Sequence, residues 1–272
     1  MKVACVQLNT RSDKAANVAT ATRLVRRAAQ AGARLVVLPE TWAFKGGGRA
    51  ESAAAAEPLD GPSNSALAAL AAELGLYVLA GSIYEAREGA ELPFNASVLF
   101  GPDGGALAVY RKIHLFDAVA GEQVYRESDD LSPGADLVTA AVDGVTVGLS
   151  ICYDLRFPEL YRALAVRGAQ VLLVPSAFTE ATGRDHWEVL LRARAVENGC
   201  FVVAAGQWGE YAAGRRSHGR SMIVDPWGVV LAAAPDGVGL CGADLDLDAV
   251  TRVRRQLPAL THRRPDLYRG WA

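Results

Sequence analysis

Three side chains with complementary chemistry each come at the end of a segment that is typical of a buried strand. They are Glu40 after the apolar run 34–38, Lys112 at the end of the run 106–112, and Cys152 after the run 145–151. Because the ends of neighbouring strands meet at one edge of a sheet, we expect the carboxylate, the ammonium and the thiol to lie close together. Such a cluster predicts nucleophilic catalysis by the cysteine. The alternative is a buried structural cysteine and two solvated surface charges.

Each member of this cluster has a role in such a reaction. The Lys112 ammonium is expected to lower the pKa of the Cys152 thiol and so to favour the thiolate. Glu40 would accept the thiol proton and later deliver it to the amine that leaves. The Lys112 ammonium and the backbone N–H of Tyr153 would hold the oxyanion of a tetrahedral intermediate. Glu127 is a candidate second carboxylate that keeps Lys112 charged, although its polar surroundings are also typical of a solvated loop.

Composition and charge disfavour several other classes of protein. The chain of 272 residues has 51% hydrophobic residues and a formal net charge of −2, which is typical of a globular protein without a general affinity for nucleic acid or anionic membranes. No apolar run is long enough to span a bilayer, and the N-terminus does not resemble a signal peptide. The four cysteines lie far apart, and the four histidines have no metal-ligand spacing. We therefore predict a cytoplasmic protein with free thiols and no metal, and with no nucleic-acid or membrane partner.

The order of apolar runs predicts an α/β protein with two similar halves. The sequence Gly-Ala-Arg-Leu-Val-Val-Leu-Pro at residues 32–39 recurs as Gly-Ala-Gln-Val-Leu-Leu-Val-Pro at residues 168–175, and each copy follows a predicted helix. The alternative to an internal repeat is that two buried strands have similar sequences by chance. Two such halves, packed sheet against sheet with helices outside, give a four-layer α-β-β-α sandwich with internal pseudo-twofold symmetry. Residues 1–272 are predicted to form a single domain.

Several local expectations concern the segments around the candidate residues. Ser63 is predicted to cap a helix that ends near Leu74. Residues 77–84 are predicted to form one strand, and residues 117–133 a polar loop. Residues 43–57 have no clear hydrophobic periodicity and are predicted to form an irregular segment on the surface.

Three motifs together resemble the nitrilase superfamily of carbon–nitrogen hydrolases. They are Leu-Pro-Glu at residues 38–40, Tyr-Arg-Lys-Ile-His-Leu-Phe-Asp at residues 110–117 and Leu-Ser-Ile-Cys-Tyr-Asp-Leu-Arg-Phe-Pro-Glu at residues 149–159. This resemblance covers essentially the whole chain. It implies a triad of Glu40, Lys112 and Cys152, an additional active-site glutamate at Glu127, and no metal or organic cofactor. It also implies the α-β-β-α fold and a homodimer or higher homo-oligomer, with the C-terminal tail at about 257–272 in the interface.

Two further runs resemble particular groups within the superfamily. The run 176–198 is similar to the amidases that act on deaminated glutathione and, slightly less closely, to the ω-amidases that act on 2-oxoglutaramate. The run 221–228 fits the first group, whereas Arg220 stands where many members have a histidine. The sequence Cys-Tyr-Asp at 152–154 favours amides over nitriles. The resemblance implies hydrolysis of a small primary amide through a thioester, with release of ammonia and an acid. An ω-amidase, a nitrilase or an N-carbamoyl hydrolase is the alternative.

Several further residues are candidates for substrate binding. They are Tyr153, Arg156, Phe178, His186 and Trp187. Arg156 is suited to bidentate binding of a substrate carboxylate, and a structural salt bridge with Glu159 or with a partner chain is its alternative. Trp187 could instead be a buried aromatic residue of the core. His186 could instead lie at the start of a helix without contacting substrate. Asn95 is expected to satisfy backbone groups near the site, and the other three cysteines are expected to pack in the core.

Two interpretations of another kind are compatible with the same residues. A non-catalytic relative that serves as an assembly module would be expected to lack a member of the triad, and all three members are present. A hydrolase of the Cys–His–acid type needs a histidine that is oriented by a carboxylate, and His114 or His218 is the candidate. The placement of these histidines relative to Cys152 distinguishes the second interpretation from the triad.

Overall fold

The first half of the chain builds one sheet and the helices that cover it. The structure, a computed structural model, describes residues 1–46, 48–121 and 123–268. The elements of this half are β1 (Lys2–Gln7), α1 (Lys14–Gln30), β2 (Leu35–Val37), α2 (Arg49–Ala54), α3 (Pro62–Leu74), β3 (Tyr77–Leu79), β4 (Ile83–Glu85), β5 (Phe94–Phe100), β6 (Ala106–Arg111), β7 (Asp117–Ala120) and β8 (Gln123–Arg126). A single turn of 3-10 helix at Glu127–Asp129 follows β8.

The second half builds the other large sheet and returns one strand to the first. Its elements are β9 (Thr139–Val142), β10 (Val145–Leu149), α4 (Pro158–Val166), β11 (Val171–Ser176), α5 (Glu180–Asn198), β12 (Phe201–Gly206), β13 (Trp208–Ala212), β14 (Arg215–His218), β15 (Met222–Val224), β16 (Val230–Ala233), β17 (Gly239–Asp244), α6 (Asp248–Gln256) and α7 (Pro265–Tyr268). A 3-10 helix at Cys152–Arg156 joins β10 to α4.

The two large sheets repeat one order and one set of strand directions. In the first sheet, β1, β2 and β3 run parallel, between antiparallel β17 on one side and antiparallel β5 on the other. In the second sheet, β10, β11 and β12 run parallel, between antiparallel β9 and antiparallel β15. The predicted internal repeat is therefore present at the level of whole sheets.

The repeated sequence at 32–39 and 168–175 has the same backbone geometry in both halves. Gly32 and Gly168 follow the preceding helices with φ values of 84° and 97°, a left-handed conformation that glycine adopts without a steric penalty. The residue after each glycine donates its N–H to a carbonyl in the last turns of its helix, at 3.0 and 3.1 Å. The similarity of the two sequences therefore reflects a structural repeat.

Alternate residues of each strand face either the other sheet or the outer helices. On β1, Val3 and Cys5 lie in the core between the two sheets, whereas Ala4 and Val6 lie in a second core beneath α1 and α3. On the other side of the molecule, α4 packs on β10 and α5 on β12. The layers follow as helix, sheet, sheet and helix, which confirms the predicted sandwich.

The predicted single strand over 77–84 is wrong, because the chain breaks into β3 and β4 around Gly81. Gly81 has a φ of 34° and lies against the chain that leaves β2. A Cβ atom at Gly81 would stand 1.9 Å from the carbonyl oxygen of Pro39. The break therefore lets two backbone segments pass at a distance that a side chain would forbid.

Regular structure also occurs where the sequence predicted loops. The segment 117–133 contains the hairpin of β7 and β8, α2 lies within 43–57, and β13 and β14 form a second hairpin after β12. In the first of these hairpins the polarity of the residues does not follow their burial, because Val119 and Val124 are the exposed ones, so the sequence lacks the alternation that identifies a half-buried strand. The predicted cap at Ser63 is also wrong, because Gly61 precedes the helix and Pro62 opens it.

The C-terminal segment lies against the second half of the molecule. Arg254 of α6 donates a hydrogen bond from Nη2 to the carbonyl of Ala169 at 2.7 Å. In the described part of the chain, no helix has the length and apolar character needed to cross a bilayer. Residues 269–272 of the tail lie outside the described residues. The tail's place in an interface and the single domain over 1–272 stay predictions.

The close approach at Gly81 predicts a large effect of a single methyl group. Gly81→Ala is expected to lower the free energy of unfolding by about 3 kcal/mol or more, because the added Cβ collides with backbone. Gly75→Ala is the matched control, since its φ of 63° is also left-handed but nothing lies within 4 Å of the added atom. It is expected to cost about 1 kcal/mol. Urea denaturation measures both, and equal losses would contradict the close approach.

Candidate active site

Four reactive side chains from different strand ends meet in one buried cluster. The Lys112 Nζ atom lies 2.9 Å from Glu40 Oε1 and 2.8 Å from Glu127 Oε2. The charge of the Glu40 carboxylate acts on the Cys152 thiol, and the two side chains line the same cavity. Lys112, Glu40 and Cys152 are only 2%, 4% and 9% exposed. The carboxylate, the ammonium and the thiol therefore lie together, as their positions at strand ends led us to expect.

Glu40 is held in place by hydrogen bonds from both halves of the molecule. Its Oε1 accepts from Asn95 Nδ2 and its Oε2 accepts from the backbone N–H of Ala177, both at 2.8 Å. Its carbonyl accepts from Gln207 Nε2 at 2.9 Å. The next residue, Thr41, has a φ of 52°, which is unusual for a residue with a side chain. The Glu40 side chain is therefore fixed at the junction of the two sheets.

Glu127 is held as firmly as Glu40, although it follows a surface hairpin. Its Oε2 accepts a hydrogen bond from the backbone N–H of Phe116 at 2.7 Å, and both carboxylate oxygens contact Lys112. Asn95 Nδ2 lies 3.3 Å from Glu127 Oε1. The side chain of Asn95 therefore bonds both carboxylates, which corrects the expectation that it satisfies backbone groups.

The turn that carries Cys152 is fixed by Asp154, a residue whose role the sequence did not reveal. Cys152 has a φ of 48°, and the fully buried Asp154 accepts hydrogen bonds from the N–H of Ile151 at 2.8 Å and from the Tyr110 hydroxyl at 2.6 Å. Its other oxygen accepts the N–H of His114 at 3.1 Å. The sequence did contain a signal for this role, because an acidic residue two positions after the cysteine can accept hydrogen bonds from the backbone of its own turn.

The histidines do not reach the thiol in this structure. The Nδ1 atom of His114 lies 2.8 Å from Asp154, and its ring stacks on Phe157 at 3.6 Å between centroids. Burial lowers the pKa of His218, and its backbone N–H donates to Phe178. Among the described residues that line the cavities at Cys152, none is a histidine. The geometry therefore gives no support to a Cys–His–acid arrangement.

Burial and charge act together on the ionisation of the cluster. Burial alone would lower the pKa of Lys112, but the charges of Glu127 and then Glu40 raise this pKa well above its ordinary value. Burial would raise the pKa of Glu40, but the charges of Lys112 and Lys45 and the hydrogen bond of Cys152 outweigh it and lower this pKa. At neutral pH the site therefore holds one ammonium and at least one firmly ionised carboxylate.

The expected lowering of the thiol pKa is wrong for the free protein. Burial, followed by the negative charge of Glu40, raises the pKa of Cys152 well above its ordinary value, and the opposing effect of Lys112 is smaller. The physical reason is that burial disfavours the charged thiolate, and that the negative charge of Glu40 acts on the sulfur more strongly than the positive charge of Lys112 does. Cys152 is therefore a thiol at rest and lies in the same cavity as the carboxylate that can remove its proton.

A narrow cavity beside Cys152 is lined by three of the predicted substrate-binding residues, Tyr153, Arg156 and Phe178. Arg156 lies over the ring of Phe178 at 5.2 Å and has no carboxylate partner among the described residues, so the alternative of a salt bridge with Glu159 is wrong. The other two predicted residues lie behind this cavity.

Trp187 and His186 support the cavity wall from outside it. Trp187 packs on Phe178 at 5.2 Å between ring centroids, is 1% exposed, and donates its indole N–H to the carbonyl of Arg220 at 2.7 Å. The Nδ1 atom of His186 lies 3.3 Å from Arg156 Nη1. Neither side chain lines the cavity, so direct contact of Trp187 and His186 with substrate has no support in this geometry.

A second, wider cavity of about 400 Å³ opens from the same thiol. Several residues that line it were not predicted from sequence: Lys45, Ser52, Tyr84, Tyr125, Tyr211 and Arg215. They come from the irregular segment after β2, from α2, from β4 and from the two hairpins. Because these segments are polar and short, their sequence has no period that could indicate a pocket wall.

The cluster offers no set of ligands for a metal ion. Across the ranges that the structure describes, no group of three or more His, Cys, Asp and Glu side chains is arranged to hold one. Lys112 occupies the position between the two carboxylates that a cation would take. The absence of metal and organic cofactors stays a prediction.

The raised pKa of the thiol predicts how Cys152 titrates. The absorbance of thiolate at 240 nm, taken as wild type minus Cys152→Ala, is expected to appear only above about pH 9, the ordinary thiol value. Glu40→Gln removes the negative charge that raises this pKa, so the titration midpoint should move to lower pH. A thiolate already present in the wild type at pH 7, or a midpoint that rises in Glu40→Gln, would contradict the electrostatic account.

Comparison with known proteins relates this geometry to one family. A sequence model of the carbon-nitrogen hydrolases matches residues 2–255. The chain is 44% identical to human deaminated glutathione amidase over 98% of this chain and 83% of that protein, and 41% identical to human omega-amidase over 98% and 96%. The crystal structure of the C. elegans NitFhit protein superposes with a TM-score of 0.91 at 38% identity, over 98% of this chain and 66% of that one. The chain therefore belongs to the carbon–nitrogen hydrolase family of the nitrilase superfamily and is an amidohydrolase.

Proposed function

We propose that the protein hydrolyses an amide through a thioester on Cys152, with Glu40 moving the proton and Lys112 stabilising the oxyanion. One observation carries this proposal: a single buried carboxylate, that of Glu40, bonds the Lys112 ammonium, acts by its charge on the Cys152 thiol and lines one cavity with both. A nucleophile, a base that holds its proton and a fixed positive charge are the groups that acyl transfer needs.

In the first half-reaction, the sulfur of Cys152 forms a bond to the carbonyl carbon of the amide. Because the raised pKa keeps the thiol protonated, its proton passes to the Glu40 carboxylate as this bond forms. The carbonyl oxygen becomes an oxyanion, which the Lys112 ammonium and the backbone N–H of Tyr153 stabilise. The carbon–nitrogen bond then breaks, and Glu40 returns the proton to the nitrogen that leaves.

In the second half-reaction, water hydrolyses the thioester. Glu40, ionised again after giving up its proton, takes a proton from the water as the water oxygen attacks the carbonyl carbon. The carbon–sulfur bond breaks, the proton passes to the sulfur of Cys152, and the carboxylic acid leaves. The thiol and the carboxylate of the free enzyme are thereby restored.

Lys112 acts in this scheme through its charge and does not exchange its proton. Its pKa is raised well above the ordinary value by Glu127 and Glu40, so it stays an ammonium through both half-reactions. The role proposed for Glu127 is that of a positioning residue. Because Glu127 keeps Lys112 neutralised and oriented, Glu40 can accept a proton without leaving a buried unpaired ammonium.

The side chains of the narrow cavity support an acyl group that ends in a carboxylate. Arg156 is a guanidinium without a carboxylate partner in the described residues, and it lies beside the apolar rings of Tyr153 and Phe178. The guanidinium can bind a substrate carboxylate, and the rings can contact the carbon atoms next to it. The relationship to the deaminated glutathione amidases makes deaminated glutathione the first substrate we propose.

An ω-amidase that acts on 2-oxoglutaramate is the second candidate, favoured by the 41% identity to human omega-amidase. Both substrates have the same 2-oxo acid half, which Arg156 would bind in the same way. The two candidates therefore differ in the amine that leaves and not in the acyl group. A nitrilase, an N-carbamoyl hydrolase and a non-catalytic assembly module are the outcomes that the assay must separate from these.

We also infer a cytoplasmic enzyme that acts on a small molecule as a homodimer or higher homo-oligomer. All four cysteines, including the paired strand neighbours Cys5 and Cys241, are free thiols. Buried free thiols are typical of a reducing compartment. The net charge of −2 supports a small-molecule substrate rather than a nucleic acid or membrane partner.

The proposed nucleophile predicts the behaviour of two variants. Cys152→Ala is expected to abolish turnover, and Cys152→Ser to leave at most a trace, because a hydroxyl is a weaker nucleophile. Cys241→Ser is the matched control, since Cys241 is also 9% exposed, and it should keep the wild-type rate. Release of the acid product from deaminated glutathione measures all three. A wild-type rate in Cys152→Ala would overturn the proposal.

The substrate class is tested with four compounds at one concentration. They are deaminated glutathione, 2-oxoglutaramate, an aliphatic nitrile and an N-carbamoyl amino acid. We expect the two amides to be hydrolysed and the nitrile and the carbamoyl compound to react more slowly. Turnover of the nitrile alone would identify a nitrilase, and turnover of none would favour the assembly module.

A further inference from the structure

Two of the four cysteines face each other on neighbouring strands of the first sheet. Cys5 of β1 and Cys241 of β17 are direct partners in an antiparallel ladder that runs without a bulge. At the end of this ladder, Met1 and Leu245 exchange both of their backbone hydrogen bonds at 2.9 Å. Because such exchanging pairs recur at every second position, Cys5 and Cys241 form one as well, with Cα atoms about 5.5 Å apart. A disulfide needs Cα atoms about 4.4–6.8 Å apart, so the backbone already meets this condition.

The side chains of this pair lie on one face of the sheet. Directly opposite residues have Cβ atoms about 4.5–5.5 Å apart, and Cys5 and Cys241 both belong to the core between the two large sheets. The Cβ atoms of a disulfide are about 3.5–4.5 Å apart, so a link draws the two strands together by roughly 1 Å. A disulfide that forms with such strain is easily reduced again. The geometry therefore favours a reversible link over a permanent one.

The position of β17 allows this movement and gives one of the two thiols access to solvent. This strand is the outer one of the first sheet and, among the described strands, pairs with β1 alone. Gly239 and Gly242 lie on either side of Cys241, and no described atom lies within 4 Å of a Cβ atom built at Gly239. Cys241 is 9% exposed, whereas Cys5 is fully buried. An oxidant from solvent therefore reaches Cys241 before Cys5.

The ionisation of the two thiols gives them different roles. The neighbouring Cys5 thiol lowers the pKa of Cys241, against the effect of burial. Burial, followed by the Cys241 thiol, raises the pKa of Cys5 well above its ordinary value. Burial also raises the pKa of Cys152 well above its ordinary value and the pKa of Cys200 to about 11. Because the thiolate is the form that reacts with oxidants, Cys241 is the thiol that reacts first and Cys5 the second.

Loss of the Cys241 proton leaves the neighbouring carbonyl with another donor. The Cys241 thiol donates a hydrogen bond to the carbonyl of Ser221 at 3.2 Å. The same carbonyl accepts a hydrogen bond from the backbone N–H of Ala234 at 2.8 Å, which does not involve the sulfur. A disulfide can therefore form here without the penalty of an unsatisfied buried acceptor.

We propose that Cys241 and Cys5 are a redox-active dithiol, which a peroxide converts to a disulfide between β17 and β1 and which a small thiol reduces again. In the first step the sulfur of Cys241 attacks one oxygen of hydrogen peroxide, the oxygen–oxygen bond breaks, and a sulfenic acid and water form. In the second step the sulfur of Cys5 attacks the sulfur of the sulfenic acid, and a second water leaves with the proton of Cys5. This site goes beyond the proposed amide hydrolysis and does not depend on it.

The first test is a map of the thiols of the wild-type protein after oxidation. The reduced protein has four free thiols. Treatment of the folded protein with hydrogen peroxide, followed by alkylation and mass spectrometry of unreduced peptides, is expected to show the peptides of Cys5 and Cys241 joined. Joining removes the mass of two hydrogen atoms, and dithiothreitol should restore both thiols.

Three variants separate the two roles from general oxidation. Cys5→Ser keeps a hydroxyl beside Cys241 but cannot form the link, so the sulfenic acid on Cys241 should persist and be captured by dimedone. In Cys241→Ser, capture at Cys5 should be at least about tenfold slower, because its higher pKa leaves less thiolate. Cys200→Ser is the matched control, since Cys200 is also a buried thiol, and it should form the link as the wild type does.

The outcomes decide between a redox-active pair and two packing residues. If peroxide does not join Cys5 and Cys241 in the folded protein, if it joins them only in urea, or if links to Cys200 form as often, the proposal is overturned. These results need no variant, so they apply even if Cys5→Ser does not fold. Equal capture by dimedone at Cys5 and at Cys241 in the two variants would overturn the order of reaction.

Discussion

A buried ammonium between two carboxylates is the interaction on which the rest of the structure depends. Lys112 is almost inaccessible to water, and an isolated charge in that position would be strongly unfavourable. Glu40 and Glu127 compensate it from two other segments of the chain, at 2.9 and 2.8 Å. Burial and the negative charge of Glu40 keep Cys152 protonated. The pairing that stabilises the lysine therefore also prepares the nucleophile and its base.

The fold supports this cluster by strain and by close packing at the strand ends. Thr41 and Cys152 both have a left-handed backbone, which costs about 1–2 kcal/mol for each residue with a Cβ atom. The Thr41 N–H donates a hydrogen bond to the Ser82 hydroxyl oxygen, and the Ile151 N–H donates one to the Asp154 carboxylate, which offsets this strain. Gln207 joins the halves, since its amide contacts Glu40 and the N-terminal loop. Two of the four described non-glycine residues with a left-handed backbone thus lie at positions that carry the chemistry.

The positions of the reactive groups could be predicted from sequence because each follows a buried strand. Glu40, Lys112 and Cys152 mark the ends of regular elements, and the repeat of 32–39 at 168–175 indicated how those elements are stacked. The direction of the thiol pKa could not be predicted in this way, since it depends on how many charges surround the sulfur. Lys45 was missed for another reason: it lies in an irregular segment and gains its place only from the hairpin that supplies Tyr211.

The central claim is that the acyl group of the substrate becomes attached to one sulfur. The most direct measurement is mass spectrometry of the intact enzyme after rapid acid quench during turnover of a slow amide, followed by peptide mapping. The account predicts a mass increase equal to that of the acyl group, located on Cys152, absent in Cys152→Ala and removed by hydroxylamine. Turnover without any acyl adduct under conditions where deacylation limits the rate, or an adduct on another residue, would contradict it.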